Sequence, residues 1–186
     1  MNALVWKTLC MLLVMLLLPL AACVSVRGAW SLHAIHKGIH QSGRVQQVGE
    51  LPCFAVADSD EAMRAPPELR SLDVFEIVDG PDKSIWEWSF SRNPPVSLAP
   101  DDCIAYGSNN GRGEERLGSA PLLRPGVTYG FRFNSIIRFG NDENDYGNRE
   151  YFGEFCLSLD SVGKFQVHDL RRDKSGAEMC GIEYGR

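Results

Sequence analysis

The sequence predicts an all-β protein, an antiparallel β-sandwich carried behind an N-terminal signal helix and a tether. Three observations predict it. Short segments rich in β-branched and aromatic residues recur between turn formers. No segment keeps a 3.6-residue apolar period over three turns. And 18 of the first 22 residues are apolar, with Lys7 as their single charge.

The whole chain has 186 residues, and residues 23–186 carry 18 basic against 24 acidic groups, a formal charge of −6. That length suits one domain with appendages. The apolar content is too high for a disordered chain. An acidic balance with no Lys/Arg cluster argues against nucleic acid as a partner, because phosphate neutralisation supplies most of that affinity.

The N-terminal element, residues 1–22, reads as an address. The apolar run Leu9–Leu18 is shorter than the roughly 20 residues a bilayer-spanning helix needs, and small residues follow it. Leu20-Ala21-Ala22-Cys23 resembles a bacterial lipobox. That resemblance implies lipidation of Cys23 and a mature chain that starts there, held on the membrane by its acyl chains. Val24 at the next position, where such lipoproteins carry Asp for inner-membrane retention, implies the outer membrane. Residues 23–44 contain Gly, Ser and His with little pattern and read as the tether.

The domain itself is expected over 45–159, with 160–186 as a C-terminal extension. Its strands are expected at Leu51–Ala57, Leu72–Val78, Ile85–Phe90, Cys103–Tyr106, Val127–Phe139 and Glu150–Leu159, with a shorter one at Lys164–His168. Asp79-Gly80-Pro81-Asp82, Asn93-Pro94-Pro95 and Pro125-Gly126 supply turns. The last two long strands form a hairpin around the acidic stretch Gly140–Asn148.

Once Cys10 leaves with the signal and Cys23 is lipidated, Cys53, Cys103, Cys156 and Cys180 remain, an even number for an oxidising compartment. No C-x-x-C occurs, which disfavours zinc and redox motifs. Three pairings are open. In each strand the cysteine opposes the apolar side, as Cys53 opposes Phe54 and Val56, and Cys156 opposes Phe155 and Leu157. The cysteines are therefore expected on outer faces, which favours Cys53–Cys103 and Cys156–Cys180, the latter tying the tail.

The strongest local pattern is Leu123-Arg124-Pro125-Gly126-Val127-Thr128-Tyr129, followed by the alternation Phe131, Phe133. It resembles the E–F corner of a fibronectin type III or immunoglobulin-like domain. There a tyrosine hydroxyl bonds back to nearby backbone. Leu123, Pro125, Gly126 and Tyr129 are its structural residues.

Other constellations carry little chemistry. A loop counted from Asp142 fails the helix-flanked calcium pattern, with Tyr146 and Gly153 where oxygen ligands belong. Asp142, Glu143 and Asp145 are better read as candidate partner contacts on a hairpin tip. His33, His36 and His40 share a helical face but lie in the tether, with no carboxylate beside them. Residues 107–113 lack the ending of a phosphate loop, and no nucleophile elbow occurs. Trp86 and Trp88 share a face; core packing is the plainer reading, and an exposed platform for protein or glycan the other. No metal or cofactor is expected.

Taken in order, Leu20–Cys23, Pro52–Val56, Ile85-Trp86-Glu87, Asp102-Cys103-Ile104, Leu123–Tyr129 and Tyr151–Leu157 resemble the type VI secretion immunity periplasmic lipoproteins. The resemblance spans about residues 48–159; the tail 160–186 has no counterpart in it. It implies a non-enzymatic protein facing the periplasm from the outer membrane, whose partner is a cognate toxin that it neutralises by occlusion. The charge of −6 favours encounter with a basic toxin face. The competing expectation is a structural or carbohydrate-binding envelope module built on Trp86 and Trp88.

Overall fold

The computed structural model describes residues 40–78, 81–108, 113–140, 146–171 and 175–181. They belong to the second of the two units into which the chain divides, Met1–Gly38 and Ile39–Arg186. Cys23, His33 and His36, and the acidic residues Asp142, Glu143 and Asp145, lie outside the described residues.

The described residues are mostly β. Their strands are β1 His40–Val48, β2 Leu51–Val56, β3 Glu68–Glu76, β4 Lys83–Phe90, β5 Val96–Ser97, β6 Ile104–Ala105, β7 Gly113–Glu115, β8 Thr128–Arg138, β9 Tyr146–Leu159 and β10 Phe165–Asp169. Two five-residue helices accompany them, α1 Asp60–Arg64 and α2 Ser175–Met179. The first starts because the Ser59 hydroxyl accepts the Ala62 N–H at 3.1 Å and Asp60 and Glu61 occupy the first turn.

The strand order is β6-β2-β1-β9-β8-β3-β4-β7, with β10 added to β9 and β5 to β3. Strand β1 joins the two halves. Over Gly43–Val48 it pairs antiparallel with β2, and over His40–Ser42 it runs parallel to β9. The sheet is therefore mixed, which corrects the purely antiparallel expectation. It also curls, so that Phe54 of β2 meets Phe131 of β8 at 4.8 Å and Phe155 of β9 at 5.5 Å between ring centroids.

The start of β1 falls inside the stretch 23–44 expected as tether. His40-Gln41-Ser42-Gly43 has no apolar residue from which an alternation could be read. The strand follows instead from a close approach: at Gly43 the absent side chain leaves room for the Phe131 ring.

The core forms where the inward faces meet. Register sets Leu72 between Phe133 and Trp88, and Val74 between Phe131 and Trp86. Trp86 is fully buried and Trp88 nearly so. This overturns the exposed aromatic platform: period-two alternation points both indoles inward, and the Trp86 Nε1–H donates to Glu115 of the edge strand β7 at 2.8 Å.

The outer face of β9 is covered as well. Strand β10 pairs with β9, and Leu170 and Ala177 pack with Cys156 and Cys180 in a second small apolar cluster. The stretch 160–186 thus adds a strand and a cover to the sheet. The structure contains the disulfides Cys53–Cys103 and Cys156–Cys180. Cys156 does oppose the main core, but it is fully buried beneath the C-terminal segment rather than exposed.

Candidate partner-binding groove

The site is built at one end of the sheet. The β1–β2 turn, the residues following β6, the segment leading into β8 and the β9–β10 turn all reach this end. Side-chain and backbone bonds bind them together. The Gln47 amide donates to the Phe165 carbonyl at 2.9 Å and accepts from the Val167 N–H at 3.0 Å, capping the open edge of β10. The Tyr106 N–H donates to Pro52 at 2.9 Å, and the Gly126 N–H to Leu157 at 3.0 Å.

Between these pieces lies an apolar groove with a volume of about 230 Å³. Tyr106, Leu123 and Leu157 form its buried floor, with Phe165 beside them. Leu51 and Leu122 form its rim, and Glu50 is its one charged lining residue. The Tyr106 hydroxyl donates to the Pro121 carbonyl at 2.9 Å. That bond holds the wall 120–123 in place. Burial pushes the Tyr106 hydroxyl well above its ordinary pKa, so it stays neutral in this apolar setting.

The rim is more exposed than packing explains. Leu122 is 96% exposed. Val48, Leu51, Leu159 and Val162 are also exposed and belong to the turns of the same end. Single exposed apolar residues are normal, whereas a cluster around a groove marks an interaction surface. The described chain enters the fold at the other end of β1, since His40 pairs with Glu150 while Val48 pairs with Leu51. The groove therefore lies at the Val48–Leu51 end of β1, opposite His40.

The structural corner lies directly behind the groove. The Arg124 N–H donates to the Tyr129 hydroxyl at 2.9 Å, and Gly126 takes φ +74° in the turn between them. Leu123 points down into the core, which leaves its neighbour Leu122 pointing out. Sequence reasoning singled out Leu123 and passed over Leu122. The signal was present in the adjacent Leu-Leu pair, because an extended segment cannot turn both side chains inward.

The opposite end mixes ion pairs with exposed Met63, Phe139 and Tyr146. Arg149 holds Glu61 in a two-pronged ion pair, with Nε–Oε2 at 2.9 Å, and lies over the Phe139 ring at 5.5 Å. The hydrogen bond from Arg149 holds the Glu61 carboxyl below its usual range. His40 is exposed and meets Glu150 at 3.5 Å. No group of three His, Cys, Asp or Glu side chains among the described residues is arranged to hold a metal ion.

Comparison with protein-family models, with curated proteins and with solved structures finds no match to this chain.

Proposed function

We propose that this chain is a periplasm-facing, lipid-anchored binding protein that neutralises a secreted antibacterial toxin by occlusion, as a type VI immunity protein does, without catalysis of its own. The observation that carries the reading is the cluster of exposed apolar side chains around the groove. The framework supports it: two disulfides and a continuous aromatic core make a rigid platform, and rigid platforms lose little conformational entropy on binding.

The same reading takes the curled sheet as a fibronectin type III or immunoglobulin-like β-sandwich. Two features support it. Strands β9, β8, β3 and β4 line one half, β1, β2 and β6 the other, and the parallel contact of β1 with β9 joins them. The tyrosine bond at the start of β8 is the second. The core rests on the Phe54–Phe131–Phe155 contacts between the halves.

The test is protection. Cells that export a periplasmic effector are expected to survive when this chain is co-exported. A complex of fixed stoichiometry burying about 1,200–2,000 Å² is expected from the purified pair. Unimpaired killing in the presence of abundant folded chain, across the effectors of its own cell, would remove the immunity reading.

A further inference from the structure

The groove carries more than a place of contact. Its outer wall, Ala120–Leu123, lies outside any strand, and Pro121 biases Ala120 towards an extended backbone. Among the described residues, no backbone hydrogen bond involves Leu122. Pro121 brings no N–H and its carbonyl already accepts from Tyr106, so the Leu122 N–H and C=O are the pair left open beside the apolar slot, where another extended chain can bond. Main-chain bonds then supply affinity, and the slot selects alternate side chains.

Charge specifies the occupant further. From residue 40 onward 24 acidic residues stand against 16 basic ones, because only Lys7, Arg27 and Lys37 precede it. Seven of the described arginines are already held by carboxylates, among them Arg124 by Glu76 at this end. Glu50, on the groove itself, has no ion-pair partner among the described residues. The nearest turn adds Asp160 and Lys164, which cancel. What remains at the groove is an apolar slot with a negative lip inside a negative field.

We propose that the groove takes an extended, cationic segment of the partner protein. That segment lies along Ala120–Leu123, seats one apolar side chain over Tyr106 and Leu157, and sets a Lys or Arg against Glu50. This rests on the reading of the chain as a partner-binding protein and names the chemistry of the partner at that same site. The attraction is directional: the slot rewards an apolar side chain at every second position, and the lip rewards a positive charge next to it.

The experiment uses three fluorescein-labelled hexapeptides, alternating Lys-Leu, alternating Glu-Leu and alternating Lys-Ser, titrated with the full chain and followed by anisotropy. The Lys-Leu peptide is expected to bind at least tenfold more tightly than either comparator. Leu122→Asp and Glu50→Lys should each weaken it severalfold or more, with unchanged thermal midpoints. Met63→Asp, an exposed apolar change on α1 at the other end, should leave binding unchanged. Equal binding of the Glu-Leu peptide, indifference to Leu122→Asp, or loss with Met63→Asp would each overturn the proposal. The result is separable from the protection assay: protection with no peptide preference leaves toxin binding in place and moves it to another surface. Peptide preference without protection keeps the groove and removes the toxin.

Discussion

The backbone N–H of Arg124 donates a 2.9 Å hydrogen bond to the hydroxyl oxygen of Tyr129. The bond closes the turn at Gly126 onto the first residues of β8, and Tyr129 is buried against Phe155 at 5.4 Å. Since the groove wall 120–123 enters this turn, the bond also positions the site. Tyr129→Phe keeps the ring and removes the acceptor. It should lower stability by about 1 kcal/mol, the net worth of one hydrogen bond, read as a shift in the urea midpoint at constant slope. An unchanged midpoint would mean that Pro125-Gly126 alone sets the corner.

Tyr151 gives the opposite expectation. Its ring is buried in the same core, but its hydroxyl has no hydrogen-bond partner among the described residues. Burial pushes its pKa up to about 12. Tyr151→Phe removes a buried polar atom that nothing satisfies, so stability should hold or rise, by up to about 1 kcal/mol. The raised value also fixes a pH dependence. Between the ordinary tyrosine value of 10 and about 12 the unfolded chain releases a proton that the folded chain keeps. Stability present below pH 10 is therefore lost as the pH rises through that window. Urea midpoints taken across it should fall less steeply for Tyr151→Phe.

Acid acts through Glu61. Its carboxyl is held low by the hydrogen bond from Arg149. A depressed folded value contributes stability that is present above the ordinary glutamate value of 4.5 and is lost as the pH falls through the lower folded one. Glu61→Gln should flatten that acid limb, as followed by circular dichroism from neutral pH downward. An identical acid limb would show that other carboxylates set it.

The two disulfides close loops of different length, with sequence separations of 50 for Cys53–Cys103 and 24 for Cys156–Cys180. On chain-entropy grounds, removing the first by double alanine substitution should cost about 4 kcal/mol and the second about 3.5 kcal/mol. The consequences should differ more than the energies. Loss of Cys156–Cys180 frees the cover formed by Leu170 and Ala177, so protease cleavage should concentrate after residue 169 while the β8–β9 hairpin stays protected. Loss of Cys53–Cys103 should loosen β6 and the Tyr106 floor of the groove. Cleavage spread evenly along the chain in both variants would contradict this division.

The parts of the fold legible in the sequence are those where alternation and turn chemistry agree. Tyr129, Phe131 and Phe133 marked β8, and Leu72 with Val74 marked β3, because one face of each strand is buried and the other is not. Strand β1 was illegible for the converse reason: its pairing depends on Gly43 yielding to the Phe131 ring, a contact between residues far apart in the chain. The burial of Cys156 was half legible. Strand parity placed it opposite the core, but only the return of Leu170 and Ala177 makes that face an interior. The groove was least legible. Leu51, Tyr106, Leu122 and Phe165 come from four separate segments, and no local pattern links them. Trp86 and Trp88 attracted attention as binding residues by their type, yet their spacing along β4 was already the signature of a core face.

A titration of the purified chain with the effector against which it protects, followed by hydrogen exchange of the complex, tests the central claim most directly. The account predicts one complex of fixed stoichiometry, no turnover of either component, and new protection confined to Leu51, the segment 120–124 and the β9–β10 turn. Binding that leaves those amides as exposed as in the free chain would contradict it, as would protection centred on α1 and Arg149 at the other end.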